Sequence, residues 1–197
     1  MTGVEFVRTA RSVRETLGQR HRYAHVLRVA RTAAHLARVH GADVERARTA
    51  GLLHDLARLW SGEELLRGAA ERGMPVDGFE RAHPVVLHAR LGAELARERY
   101  GIDDEAVLSA IRKHTVADAV MSPLDRIVYL ADALEPGRTF PERAALAALA
   151  ERDLDAAMRA TIANSTAYLR GHGQAVAPQT LAAARTFADP TEEKRPA

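Results

Sequence analysis

The sequence contains no cysteine among its 197 residues. This absence excludes disulfide bonds, thiolate catalysis, iron–sulfur clusters and zinc fingers built on cysteine. It also removes the main compositional sign of a small secreted scaffold. A metal site in this chain would have to rely on imidazole and carboxylate ligands.

The chain is also poor in lysine, in aromatic residues and in net charge. The formal net charge is only +2, lysine occurs only at Lys113 and Lys194, and aromatic residues make up 5% of the sequence. Acidic and basic residues are interspersed, so we expect no nucleic-acid partner. The apolar runs are too short to cross a bilayer, and the N-terminus lacks the apolar core of a signal peptide. We therefore predict a cytoplasmic protein with no membrane partner.

The sequence does carry helical periodicity along almost its whole length, whereas the alternation typical of strands is missing. With 47% hydrophobic residues it can bury one sizeable core. We predict an all-α fold: a single helical bundle with an N-terminal helix in residues 1–19, a domain over residues 20–187 and a loose tail over residues 188–197. The predicted helices cover residues 4–18, 22–40, 43–58, 62–72, 84–100, 103–115, 122–134, 141–150, 152–171 and 178–187.

The dipeptide His54-Asp55 follows an apolar run in AGLLHDLAR, and four other apolar helices carry a single histidine or aspartate. Brought together, such side chains would form a two-metal site in which one carboxylate bridges ions about 3.5–4 Å apart. Water activated by two metals attacks phosphorus well. Taken singly, each histidine is better explained as a core or surface residue, so the prediction depends on the combination. The six candidate ligands are His25, His54, Asp55, His88, His114 and Asp132.

This order of motifs resembles the HD-domain metal phosphohydrolases, and more narrowly the symmetrical diadenosine tetraphosphate hydrolases. The matching segments extend from about Arg20 to Phe187 and include HRYAHVLRVA, GADVERARTAGLLHDLAR, LHARLGAELA, AIRKHT and MSPLDRIVYLADALEPGRTFP. The EPGR segment followed by Phe-Pro is the most specific of them. The resemblance implies that residues 20–187 form the HD domain and that the six candidates are its metal ligands, with His54 and Asp55 as the catalytic pair.

The resemblance also implies a di-iron centre, with manganese or another transition metal as the alternative, and a dinucleoside polyphosphate substrate cleaved to two ADP. His83 competes with His88 for one ligand position, and we prefer His88 because ARLGAEL follows it. The remaining histidines, His21, His35, His40 and His172, match nothing in the family. A second copy of the chain, in a homodimer, is retained as an optional partner.

Four residues near the predicted ligands are candidates for binding substrate. Arg138 in EPGR is the first choice for a phosphate clamp, although it could instead interact with helix C-terminal carbonyls. Arg58 lies four residues after His54 and would share its helix face. Lys113 and Thr115 flank His114. Glu135 is expected either to hydrogen-bond a ligand imidazole or to hold Arg138.

Several positions depart from the family pattern and leave the substrate open. The family usually has threonine at Val26, a different triplet at residues 56–58, tyrosine at Ala133 and glycine near Val116 and Ala117. None of these departures removes a ligand. The alternatives are an HD phosphohydrolase acting on another nucleotide and a nucleotide-sensing domain that has lost turnover. The few available aromatic platforms for bases are Tyr23, Trp60, Tyr129 and Phe140.

Overall fold

The computed structural model describes residues 3–188 and confirms the all-α fold class. The described residues form eleven α-helices and one 3₁₀ turn, and no strand occurs among them. The helices are α1 (Gly3–Leu17), α2 (Arg20–Val39), α3 (Val44–Leu53), α4 (Gly62–Glu71), α5 (Gly78–Ala82), α6 (Leu87–Tyr100), α7 (Glu105–Lys113), α8 (Pro123–Leu134), α9 (Arg143–Ala150), α10 (Leu154–Gly171) and α11 (Pro178–Thr186). The 3₁₀ turn covers Pro84–Val86.

Helix starts are fixed by side chains that accept hydrogen bonds from otherwise unpaired backbone N–H groups. Asp43 caps α3 by accepting from the N–H groups of Glu45 and Arg46. Ser122 caps α8 and forms a reciprocal capping box with Asp125, and Pro123 occupies the first turn. These caps set where α3 and α8 begin; α8 carries Asp132, and α3 leads directly into His54 and Asp55.

Five helices surround the apolar core beside the candidate site. Helix α2 packs on α3 and α8, and α7 packs on α3, α6 and α8. Glycine permits two close contacts: a Cβ on Gly51 would lie 2.8 Å from the Cα of Ala30, and a Cβ on Gly92 would lie 3.0 Å from the carbonyl oxygen of His54. Helices α2, α3 and α6 therefore meet at the segment that carries His54.

The largest error in the predicted helices is the segment 43–58. Helix α3 ends at Leu53, and residues 54–59 form turns. In these turns the N–H of Leu56 donates to the carbonyl oxygen of Leu53 at 3.4 Å, and the N–H of Arg58 donates to the carbonyl oxygen of Asp55 at 3.0 Å. Helix α5 is missed because it has only five residues. The predicted helix 84–100 begins as a 3₁₀ turn, and the other predicted helices agree within two residues at each end.

Helix α1 packs against α2 and α3. The division into residues 1–19, 20–187 and 188–197 stays a prediction, and residues 1–2 and 189–197 lie outside the described part of the chain. No helix within residues 3–188 combines the length and the apolar character needed to span a bilayer.

Candidate metal centre

The structure brings the six candidate ligands together between α2, α3, α6, α7 and α8. Five are buried, and the side chain of Asp132 is 19% exposed toward a cavity. They lie on different elements: His25 in α2, His54 and Asp55 directly after α3, His88 in α6, His114 directly after α7, and Asp132 in α8. Subsets of them place one donor atom each within 4.8 Å of one another.

Asp55 lies at the middle of this cluster, with its two carboxylate oxygens facing different imidazoles. Oδ2 lies 3.8 Å from Nε2 of His25 and 3.5 Å from Nε2 of His54. Oδ1 lies 3.4 Å from Nε2 of His88 and 3.9 Å from Nε2 of His114. This is the arrangement expected of a carboxylate that bridges two cations.

Asp132 completes one side of the cluster. Its Oδ1 lies 3.0 Å from Nε2 of His25 and 3.8 Å from Nε2 of His54. We call His25, His54 and Asp132 the Asp132 group, and His88 and His114 the His88 group. Within the His88 group the two Nε2 atoms lie 3.2 Å apart. Asp55 joins the two groups.

Local backbone carbonyls orient three of the four imidazoles. Nδ1 of His54 lies 2.8 Å from the carbonyl oxygen of Gly51, Nδ1 of His114 lies 2.7 Å from that of Ile111, and Nδ1 of His88 lies 2.5 Å from that of Val85. A carbonyl oxygen only accepts, so each Nδ1 carries the proton and each Nε2 keeps its lone pair. The three Nε2 atoms are thus presented to the cluster as ligands.

The buried donor atoms fit cations. Nε2 of His25 and Nε2 of His54 are buried and accept or donate no hydrogen bond within the described residues. Unpaired buried polar atoms are costly, and a bound ion would satisfy both. The nitrogen and oxygen donors, without sulfur, suit iron, manganese or similar ions. The cluster is therefore a candidate site for divalent metal ions.

Electrostatics also favour positive charge at this position. Burial raises the pKa of Asp55, but the neighbouring His54 and His88 outweigh it and hold the pKa well below its usual range. The pKa of Asp132 is lowered in the same way, because His25 and His54 overcome the effect of burial. Burial lowers the pKa of His114 to about 3, and repulsion by the protonated forms of His54 and His88 acts in the same direction.

The competing histidine lies away from the cluster. His83 is exposed and its ring centroid lies 4.6 Å from that of Phe79. The structure therefore places His88, and not His83, beside Asp55. The four histidines that match nothing in the family also lie outside the cluster: His21, His35, His40 and His172.

An open cavity of about 280 Å³ leads to the cluster, and arginines line it. Arg138 donates from Nη2 to Oδ1 of Asp132 at 2.5 Å. Arg58 also lines the cavity, and its guanidinium has no partner among the described residues. Arg22, which was not among the predicted substrate-binding residues, donates from Nη1 to Oδ2 of Asp55 at 2.9 Å. These guanidinium groups form a positively charged approach to the buried carboxylates.

The two residues that flank His114 face different surroundings. Thr115 lines the cavity, and its hydroxyl lies 3.0 Å from Nε2 of His114 and 3.2 Å from Nε2 of His88. Lys113 does not line the cavity: its ammonium donates to Oδ2 of Asp125 at 3.1 Å and to the carbonyl of Val120 at 2.8 Å. Adjacent positions on a helix point about 100° apart, so Lys113 turns away from the cluster.

Glu135 contacts the cluster from outside. Its Oε1 lies 3.0 Å from Nδ1 of His25, and its carboxylate also binds Arg28. Of the two expected roles, only the contact with a ligand imidazole is found, because the side chain of Arg138 binds Asp132 instead. Burial raises the pKa of Glu135, but Arg28 and His25 outweigh it and lower the pKa to about 2.

Comparison with known proteins identifies the family. The HD domain model matches residues 22–137, which include all six residues of the cluster. The chain therefore belongs to the HD domain family.

Individual relatives within this family are similar to the chain over most of its length. The chain is 38% identical over 161 residues to the symmetrical bis(5'-nucleosyl)-tetraphosphatase of Bacillus subtilis, covering 82% of this chain and 86% of the relative. It is 38% identical over 162 residues to the enzyme of the same name from Halalkalibacterium halodurans, with the same coverage. A crystal structure of a predicted HD superfamily hydrolase involved in NAD metabolism, from Clostridium acetobutylicum, superposes with a TM-score of 0.89 at 34% identity, covering 92% of this chain and 96% of that one.

Proposed function

We propose that this protein is a metal-dependent hydrolase of dinucleoside tetraphosphates, which cleaves diadenosine tetraphosphate symmetrically into two ADP. The observation that carries the proposal is the cluster of four imidazoles and two carboxylates around Asp55 at the end of an arginine-lined cavity. The likeness to symmetrical bis(5'-nucleosyl)-tetraphosphatases supports the choice of substrate.

The Asp132 group and the His88 group would each hold one ion, with Asp55 shared between them. We propose iron as the native metal, with manganese as the alternative, because both accept mixed imidazole and carboxylate ligation. Two such cations supply Lewis acidity and lower the pKa of water, which makes a nucleophile available near neutral pH.

The chain's own residues bind and orient the tetraphosphate. A guanidinium grips phosphate oxygens with two parallel N–H donors, and Arg58 has both its guanidinium edges unpaired within the described residues. Arg22 and Arg138 place two further guanidiniums against Asp55 and Asp132. Donors fixed at these positions stabilise the negative charge that grows on the phosphate oxygens during attack. Thr115, beside the His88 group, offers a hydroxyl to the same space.

The residues that line the cavity are suited to binding phosphate groups more than nucleotide bases. Apart from imidazoles, no aromatic ring occurs among the described residues that line it. The four aromatic residues considered as stacking platforms belong to the core or pack against it: Tyr23, Trp60, Tyr129 and Phe140. Symmetrical cleavage requires a site that binds the tetraphosphate without selecting one nucleoside, and a cavity lined by guanidinium groups, with no stacking ring other than imidazole among its described residues, fits that requirement.

The test is to incubate metal-loaded protein with diadenosine tetraphosphate and to follow the products by chromatography. ADP as the sole early product supports the proposal, whereas AMP with ATP, or no turnover at full metal loading, contradicts it. Asp55→Ala should remove both metal and activity, because Asp55 faces both groups. Asp118→Ala is the matched control, since Asp118 caps a turn away from the cluster by accepting from the N–H of Val120.

A panel of mononucleotides and other dinucleotides separates this proposal from an HD phosphohydrolase with a different substrate. Binding without turnover by metal-loaded protein would instead indicate a sensing domain. The cytoplasmic location and the homodimer stay predictions, and light scattering coupled to gel filtration tests the homodimer.

A further inference from the structure

His25 is oriented differently from the other three imidazoles of the cluster. His54, His88 and His114 each place Nδ1 against a carbonyl three residues earlier in the chain. His25 lies in the interior of α2, and its Nδ1 lies instead 3.0 Å from Oε1 of Glu135, 110 residues away. The orientation of His25 therefore depends on a tertiary contact.

Glu135 receives hydrogen bonds at both oxygens from groups that can only donate. Oε1 accepts from Nη2 of Arg28 at 3.0 Å, and Oε2 accepts from Nε of Arg28 at 2.5 Å and from the N–H of Gly137 at 2.5 Å. A carboxylate with these partners can only accept from His25. Nδ1 of His25 therefore carries the proton, and Nε2 keeps its lone pair toward Asp55 and Asp132.

The loop that follows α8 holds a second residue of the same group. Arg138 donates from Nη2 to Oδ1 of Asp132 and from Nε to the carbonyl oxygen of Asp132 at 2.9 Å. Gly137 leaves room for this loop against α2, because a Cβ there would lie 2.6 Å from Cζ and Nε of Arg28. Residues 135–138 thus fix both His25 and Asp132, and neither residue of the His88 group.

We propose that Glu135 is a positioning residue for one of the two metal ions, the one held by the Asp132 group. Glu135 holds His25 in the tautomer that presents Nε2, while the His88 group is oriented by its own backbone carbonyls. Loss of Glu135 weakens the binding of the ion in the Asp132 group and leaves the binding of the other ion unchanged. This inference rests on the metal site of the proposed function.

The test is the Mn²⁺ stoichiometry of Glu135→Gln, measured by elemental analysis after equilibration at concentrations that fill the wild-type protein. The glutamine amide must turn its N–H₂ toward one of the existing donors, so we expect one ion per chain instead of two. The affinity of the lost ion should fall about 10–100-fold, as is usual when a hydrogen-bond partner of a ligand is removed. Electron paramagnetic resonance should show isolated Mn²⁺ in place of a spin-coupled pair.

Glu80→Gln is the matched control. Glu80 is also buried and also accepts from an arginine, Nη1 of Arg90 at 2.6 Å, yet it contacts none of the six clustered ligands. This variant should keep two ions per chain. Circular dichroism establishes that both variants are folded.

Glu135→Asp decides the matter if Glu135→Gln does not fold. It keeps a carboxylate for Arg28 but withdraws it from Nδ1 of His25 by the length of one methylene group, and we expect weaker binding of one ion only. Two ions bound with unchanged affinity in folded Glu135→Gln and Glu135→Asp variants would overturn the role of Glu135. A wild-type protein that binds no Mn²⁺ or Fe²⁺ would overturn the proposed function itself.

Discussion

Replacing Gly51 with alanine tests whether the close contact between α2 and α3 holds the metal ligands in place. The added Cβ would lie 2.8 Å from the Cα and 3.0 Å from the N of Ala30, whereas ordinary contacts begin at 3.4 Å. Both atoms belong to the backbone, so no side chain can rotate out of the way. The two helices must separate locally by about 0.6 Å, as van der Waals contact at close packing requires.

The expected cost combines two opposing effects. Overpacking of a well-packed contact costs about 1–3 kcal/mol, and a backbone contact falls in the upper half of that range. The better helix propensity of alanine returns about 1 kcal/mol. We expect a net loss of about 1–2 kcal/mol in the free energy of unfolding, which corresponds to a decrease of about 2–8 °C in Tm for a chain of this size.

Denaturant titration and thermal melting of Gly51→Ala and of Gly171→Ala measure this difference. Gly171 ends α10, and a Cβ there meets nothing within 4 Å, so Gly171→Ala should be neutral or stabilising by up to about 1 kcal/mol. Gly51→Ala should also bind Mn²⁺ more weakly, because His25 lies on α2 and His54 directly follows α3, the two helices that separate. A Gly51→Ala protein as stable as the wild type, with unchanged metal affinity, would refute the reasoning.

Four other predictions concern the site. Chelation of the metal should lower Tm, since an ion at 100 times its Kd contributes about 2.7 kcal/mol to the folded state; a Tm that does not respond to chelator contradicts the site. Arg58→Gln should raise the KM for diadenosine tetraphosphate about tenfold or more with the metal content unchanged, because a hydrogen bond to a charged group contributes about 1.5–3 kcal/mol; steady-state kinetics measure this. Lys113→Met should cost about 1–3 kcal/mol of stability by leaving the buried Asp125 without its ammonium partner, while kcat/KM stays within about twofold; a large kinetic defect in stable protein would place Lys113 in the site after all. The pKa of Glu135 is lowered from 4.5 to about 2, so its contribution to stability is present above pH 4.5 and is lost as the pH falls through about 2. The free energy of unfolding of metal-free protein, measured as a function of pH, should show this loss, and the Glu135→Gln variant should lack it.

The helices were predictable because their signals are local. The capping residues Asp43 and Ser122, with Pro123 after Ser122, mark the starts of α3 and α8 in the sequence itself. Helix α5 also carried such a signal, the capping box of Asp77 and Glu80, but five residues give no periodicity to support it. No glycine or proline marks the end of α3 in the sequence. Helix α3 ends where the carbonyl of His54 meets Gly92 of α6, a contact between distant residues that no local signal indicates.

The cluster was predictable from the order of its motifs, whereas the residues around it depend on side-chain direction. Arg22 and Arg28 lie three residues before and after His25, so helical spacing could have indicated both. Lys113 is adjacent to His114 in sequence but points away from it, because neighbouring helical positions diverge. The contact between Glu135 and His25 joins two helices far apart in the chain, and the sequence allowed it only as one of two options.

The carbonyl contacts of His54, His88 and His114 have a consequence for how the protein matures. Because each imidazole is turned by the backbone just before it, three of the six candidate ligands are oriented as soon as those segments take their folded form. Little conformational freedom is left to lose when an ion arrives, so loading can follow folding instead of driving it.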